Sequence, residues 1–224
     1  MEKYLVINAG SSSLKFSMYE MPTEKLLING YFEKIGIDDS FWSVKIDDKK
    51  IERVGYLGNH SDAVREMINE LKINGIISSM DEIVGVGHRV LHGGEIYSES
   101  MIITDKVLND IIDLTKLGPL HHPGQIAGIK AMLEILPNVS QVAVFDTAFH
   151  QTMPEYNYMY AVPYSWYQDF KVRKYGFHGT SHKYITEYMK KELNKEDVNL
   201  IICHIGSGSS IACVKDGKCY DTTM

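Results

Sequence analysis

Two short segments far apart in the chain constrain it more than anything else. Leu5-Val6-Ile7-Asn8-Ala9-Gly10-Ser11-Ser12-Ser13-Leu14-Lys15-Phe16 reads as a strand, a small polar turn and a second strand. Ile201-Ile202-Cys203-His204-Ile205-Gly206-Ser207-Gly208-Ser209-Ser210-Ile211-Ala212 repeats the pattern. Small residues let backbone N–H groups approach an anion, and Lys15 adds positive charge beside the hydroxyls of Ser11, Ser12 and Ser13. Alone, the first segment also reads as a serine-rich β-turn with a surface lysine. The second copy favours two phosphate-facing jaws, a nucleotide clamp between two related domains. Neither segment is a Walker loop, because G-x-x-x-x-G-K-[ST] is absent.

The 224 residues suffice for one large domain, or for one domain and part of another. A net charge of -6 argues against a general nucleic-acid or membrane-surface binder. It still allows an anionic substrate, since a local cluster of Arg, Lys and His can override it. No stretch has the length and apolarity of a signal or membrane-spanning segment, so a reducing cytoplasm is expected. Cys203, Cys213 and Cys219 form no CxxC pair and no disulfide framework. Cys203 and Cys213 are expected to be buried small hydrophobes.

Residues 3–8 read as a buried strand. Leu14, Phe16 and Met18 alternate with Lys15, Ser17 and Tyr19. Leu26–Glu33 and Trp42–Ile46 continue an antiparallel meander through polar turns such as Asp47-Asp48-Lys49-Lys50. Ser61-Asp62 is expected to cap a helix to about Lys72, and Thr104-Asp105 to start another. A third helix follows Pro123 and stops at Pro137. Short strands are expected at Ile83–Val86 and Gln141–Phe145, and a helix from Ser181 to Leu193. Lys215-Asp216-Gly217-Lys218 is a tight turn. Strands first, then alternating helices and strands, predict an α/β fold: a mixed sheet with helices on its faces.

Eight of the nine histidines lie between His88 and His204. Arg89 follows a strand and precedes Gly93-Gly94, where a guanidinium can bind a carboxylate or phosphate. Adjacent His121 and His122 on an extended segment point to opposite sides, so one is expected inward and structural, the other near the site. Asp146 ends a strand, where α/β sheets gather ligands; it also reads as a helix cap or an Asx-turn. Gly176 and Gly179 bracket Phe177-His178, bringing that imidazole within reach of a ligand. No G-x-S-x-G elbow supports a serine hydrolase.

Taken in order, Asn8-Ala9-Gly10-Ser11-Ser12-Ser13-Leu14-Lys15, His88-Arg89-Val90-Leu91-His92-Gly93-Gly94, Phe145-Asp146-Thr147-Ala148-Phe149-His150, Tyr175-Gly176-Phe177-His178-Gly179-Thr180-Ser181-His182 and His204-Ile205-Gly206-Ser207-Gly208-Ser209-Ser210 closely resemble the acetate kinase family. The resemblance implies two ribonuclease-H-like domains of the actin-like ATPase type, a first over residues 1–149 and a second beginning at 150–224. It implies Mg²⁺-dependent transfer of phosphate from ATP to acetate, with Mn²⁺ as a substitute metal, in a cytoplasmic homodimer that needs neither nucleic acid nor membrane. Asn8 would help hold Mg²⁺, and Lys15 with Ser11 and Ser13 would face phosphate. Arg89 would bind acetate or the transferring group. Leu91 and Leu120 would wall the methyl pocket, with His121 near the site. Asp146 would be the active-site acid, and His178 would hydrogen-bond the transferring phosphoryl group. His204, Ile205, Gly206, Ser207 and Gly208 would contact nucleotide phosphates.

Two positions depart from the family pattern: Ser207 stands where Asn is common, and His122 stands in place of Asn in Leu-His-Asn-Pro. The family's members are much longer, and their second catalytic arginine, adenosine pocket and Mg²⁺-linked glutamate have no match here. The chain is therefore expected to be an N-terminal part, weak or inactive alone. Alternatives are a propionate or butyrate kinase, and a non-catalytic folding or dimerising fragment.

Overall fold

Alternation sets the first strand. In β1 (Glu2–Ala9), Leu5, Ile7 and Ala9 point into a core while Tyr4 and Val6 point out. The computed structural model describes residues 2–224, which fall into two units. One comprises the residues up to Val90 together with Met101–Val144; the other comprises Leu91–Ser100 with Phe145–Met224.

In the first unit β1 runs into β2 (Ser13–Met21), β3 (Lys25–Glu33), β4 (Ser40–Ile46) and β5 (Lys49–Gly55), an antiparallel meander. Then come α1 (His60–Ile73), β6 (Ile83–Val90), β7 (Met101–Ile102), α2 (Asp105–Asp113), α3 (His122–Ile135) and β8 (Ser140–Phe145). The eight-stranded sheet has the order β5-β4-β3-β2-β1-β6-β8-β7, with β6 parallel to β1. α3 lies on β1 and β6 and packs against α1. Between helices and sheet sit the fully buried Leu5, Leu14, Met18, Ile28, Phe32, Met67 and Leu71. Burying each such side chain contributes about 1.5–3 kcal/mol. Phe32 stacks on Trp42 at 5.8 Å between ring centroids. The Trp42 indole N–H donates to Glu70, a fully buried carboxylate also held by Arg53 and Asn74.

Several expectations need correction. Residues 3–8 are buried on one face only, and Val6 is 45% exposed. Helix α1 is capped by Asn59, whose side chain accepts from the Asp62 N–H at 3.0 Å; Ser61 and Asp62 lie inside the helix. Asn59 precedes the apolar face by more residues than Ser61 does, and an Asn oxygen caps as well as a Ser hydroxyl. Strand β6 does not stop at Val86 but runs to Val90, since Gly87 is tolerated in extended backbone between two paired neighbours. Lys49 and Lys50 belong to β5, and the turn is Asp47-Asp48.

In the second unit a single 3-10 turn (Ala148–Thr152) leads to the short helices α4 (Glu155–Tyr158) and α5 (Tyr164–Phe170) and to α6 (Gly179–Leu193). α6 starts two residues before the expected Ser181. β9 (Leu200–Ile205), β10 (Ser209–Lys215) and β11 (Lys218–Thr222) form an antiparallel sheet in the order β11-β10-β9. The β10–β11 turn has Asp216 and Gly217 both at positive φ, 51° and 72°, as a two-residue hairpin of this hand requires. Cys203 is exposed and Cys213 half-buried; only Cys219 is buried. Cys203 shares its side of β9 with Ile201 and Ile205, 69% and 73% exposed, so the apolar alternation is real but that face is open.

His88 is enclosed between β6 and β8, with its Nε2 2.8 Å from Gln141 Oε1. Burial pushes its pKa down to about 4, against a weaker upward pull from Gln141. Its folded pKa is depressed, so the unfolded chain takes up the extra proton. Stability should therefore fall as pH drops from about 6.5 to about 4, by up to about 3 kcal/mol from this residue. Urea unfolding across that range should show the loss, and His88→Gln, which keeps a partner for Gln141, should reduce it by the His88 share.

Candidate functional site

The candidate residues of the first unit are placed by strand register. Asn8 lies directly opposite Lys15 across the β1–β2 hairpin, and opposite residues of an antiparallel pair share a face. Ile7 pairs with His88 in the parallel β1–β6 ladder, and both point inward. The next residues along, Asn8 and Arg89, therefore point to the other face. There an Arg89 Nη1–H donates to Asn8 Oδ1 at 3.2 Å. An amide, an ammonium and a guanidinium thus share one side of the sheet, at the carboxyl ends of two neighbouring parallel strands.

The turn carrying Ser11 is clamped from the helix side. Gly10 N–H donates to the Ser13 carbonyl at 2.8 Å, and His60 Nε2–H donates to the Gly10 carbonyl at 2.7 Å. α3 comes so close that a Cβ on Gly124 would lie 2.2 Å from the Gly10 oxygen. Only glycine allows that approach. Ser11 and Lys15 are exposed and Ser13 is half-buried, so the turn presents polar groups outward while its backbone is fixed.

His122 is the inward member of its pair: fully buried, its Nδ1–H donates to the Ile111 carbonyl at 2.9 Å. Burial pushes its pKa down. His121 is exposed, and so is Leu120, at 80%.

In the second unit the glycine-bracketed loop leads into α6. His178 sits at its start with φ 57°, a left-handed conformation that histidine tolerates better than branched residues do. The two glycines serve packing. A Cβ on Gly176 would lie 2.4 Å from the His150 ring, and one on Gly179 2.2 Å from the Asp146 carbonyl. Gly179 N–H donates to that carbonyl at 2.9 Å, which ties the buried Asp146 to the start of α6. Leu91 is half-buried and is followed by the buried His92, whose Nδ1 accepts from the Gly94 N–H at 2.9 Å.

His178 stacks on His204, with centroids 4.1 Å apart and planes 21° from parallel. The turn Gly206-Ser207-Gly208 lies between β9 and β10, as Gly10-Ser11-Ser12 lies between β1 and β2. Ile205, Gly206 and Ser207 are exposed and Gly208 half-buried. A side chain at 208 would rest 3.5 Å from Cε1 and Nε2 of His178, so the turn adjoins that edge of the ring. The unit thus brings His178, His204 and the glycine turn together. Two residues of the family-like motifs that carry no expected role, His182 and Ser210, join them. His182 Nε2 is 2.8 Å and His178 Nδ1 2.9 Å from Ser210 Oγ. The four-residue spacing of His178 and His182 was a legible signal once the helix was known to start at Gly179. Burial first, then the neighbouring His150, His204 and His178, push the His182 pKa down to about 4. Buried Cys219, raised to about 12 mainly by burial, keeps its thiol proton and faces His150 Nδ1 at 3.1 Å.

Comparison with known proteins gives the chain's family. The acetokinase family model matches residues 3–224. The acetate kinase of Bacillus cytotoxicus is 53% identical over the whole chain, and that of Bacillus subtilis strain 168 is 52% identical. The chain spans 57% of the length of these relatives. Among solved structures, acetate kinase from Porphyromonas gingivalis superposes with a TM-score of 0.96 at 41% identity, covering 99% of this chain and 57% of that one. A propionate kinase from Francisella tularensis superposes with a TM-score of 0.93 at 42% identity, covering 100% of this chain and 57% of the other. By sequence and by fold, an α/β architecture of the actin-like ATPase type, the chain belongs to the acetokinase family.

Proposed function

We propose that the protein carries the first part of an acetate kinase, which moves the γ-phosphoryl group of ATP reversibly onto acetate. A carboxylate oxygen bonds to the γ-phosphorus, the bond to the β–γ bridging oxygen breaks, and ADP leaves with acetyl phosphate formed. The observation that carries this reading is the Asn8–Arg89 pairing beside Lys15, in a chain of this family. Transfer of this kind needs positioning and charge neutralisation more than covalent help. Arg89 supplies a fixed positive charge for the acetate carboxylate or the transferring group. Lys15, Ser11 and Ser13 take phosphate oxygens on the first unit; His204, Ile205, Gly206, Ser207 and Gly208 do so on the second. His178 donates a hydrogen bond to the phosphoryl group in the transition state, and Asp146 is the acid of the site. Leu91 and Leu120 contact the methyl group, with His121 beside them.

Mg²⁺, or Mn²⁺ in its place, would be held with the help of Asn8 and would neutralise phosphate charge. The residues fit that partner: Mg²⁺ keeps several waters and leans on substrate phosphates, so it needs no cage of side chains. Among the described residues no group of three or more His, Cys, Asp or Glu side chains stands ready for a metal. We further propose two ribonuclease-H-like domains with a boundary near residue 150, a cytoplasmic location and a homodimer that uses neither nucleic acid nor membrane. Among the described residues no helix is long and apolar enough to cross a membrane. The likeness to a propionate kinase keeps a longer acyl substrate in view.

A coupled assay for ADP formation tests the proposal, on this chain and on a version extended to the length of the relatives. The extended protein should turn over acetate, and the 224-residue chain should be at least about 10³-fold slower, as expected when transition-state charges are missing. Arg89→Ala in the extended protein should cost a similar factor. Equal rates for the two lengths would overturn the claim that the chain is weak alone. Activity in neither would overturn the kinase reading. Run with acetate, propionate and butyrate, the assay should favour acetate by kcat/KM; faster turnover of propionate would reassign the substrate.

A further inference from the structure

We infer that Ser210 is a positioning residue: its hydroxyl relays a hydrogen bond from His182 Nε2–H to His178 Nδ1, and so fixes the His178 proton on Nε2. The consequence for phosphoryl transfer rests on the role proposed for His178 above; the relay itself rests on geometry alone.

Ser210 Oγ, on β10, is 1% exposed and lies 2.8 Å from His182 Nε2 and 2.9 Å from His178 Nδ1. A hydroxyl has one proton to give and two lone pairs. Three assignments are open. If His178 donates to Oγ and the hydroxyl donates to His182, the His182 proton must sit on Nδ1. That atom is buried with no hydrogen-bond partner, so a donor would be orphaned. If both rings donate to Oγ, the hydroxyl proton is stranded in a buried site, and His182 Nδ1 is unpaired as well. If His182 donates and the hydroxyl donates to His178, only one lone pair, on His182 Nδ1, goes without a partner. Buried orphan donors are rarer than under-satisfied acceptors, so the third assignment is preferred. A doubly protonated His182 is opposed by its burial and by the neighbouring His150, His204 and His178.

The chosen arrangement leaves His178 with Nδ1 as acceptor and Nε2–H as donor, without requiring a positive charge. Nε2 is the edge that adjoins Gly208, in the turn proposed to meet phosphate. The stacked His204 ring, itself tied through Nδ1 to Ser181 Oγ at 3.0 Å, holds the imidazole plane. A donor whose tautomer is already set needs no proton shift at the moment of transfer.

Long-range ¹H–¹⁵N correlation spectra of the histidine rings, taken near neutral pH on this chain, test the relay. His178 and His182 should both appear as Nε2–H tautomers, and His178 should mix tautomers in Ser210→Ala but not in Ser210→Thr. A His178 proton on Nδ1 in the unmodified chain would overturn the inference, and so would a Ser210→Ala spectrum with unchanged His178 nitrogens. If Ser210→Ala does not fold, the unmodified spectrum alone decides. In the extended protein Ser210→Ala should lower kcat about fivefold to tenfold, the worth of one hydrogen bond, with KM for ATP unchanged and with rescue by threonine. A rate insensitive to His178→Ala would instead overturn the role of His178 in transfer, leaving the tautomer result to stand or fall by itself.

Discussion

The register of β1 against its two neighbours is the constraint on which the first unit depends. A one-residue slip on either side would send Asn8, Lys15 or Arg89 into the core and bring an apolar side chain out. The slip is prevented by the burial of Leu5, Ile7, Leu14 and Phe16 on the opposite face. The hydrophobic pattern that makes the sheet therefore also aims the polar residues. Gly124 and His60 finish the arrangement by fixing the Gly10 carbonyl.

The second unit reaches a comparable end by other means. Its glycine turn joins two strands, but the groups beside it come from the start of a helix. There the fixing elements are the Gly179 bond to Asp146, the His178–His204 stack and the buried Ser210 hydroxyl. Histidines are useful in such a setting because a neutral imidazole offers one nitrogen as donor and the other as acceptor.

Much of this was legible from residues alone. Leu14, Phe16 and Met18 declared their face by alternation, and Thr104 caps its helix by accepting from Val107 N–H as its position suggested. β5 was harder to see: Lys49-Lys50-Ile51-Glu52-Arg53-Val54-Gly55 is an edge strand of mostly exposed residues, with little burial to write a pattern. Cys203 is exposed against expectation because alternation tells which residues share a face, not whether anything covers it. The pairing of Ser210 with two histidines depends on where β10 meets α6, which local sequence does not encode. The candidate residues themselves were found through motifs, whereas the clamp by Gly124 and His60 is a tertiary contact with no local signature.

The most direct test of the central claim is an amide and side-chain NMR titration of this chain with inorganic pyrophosphate. If the register builds an anion-binding corner, the backbone signals of Gly10 to Ser13, the Asn8 side-chain amide and the Arg89 Nε–H should shift together along one saturable curve, weakened by salt. If those signals stay still while others move, or if nothing saturates, the shared face of Asn8, Lys15 and Arg89 is not a phosphate site and the account fails at its base.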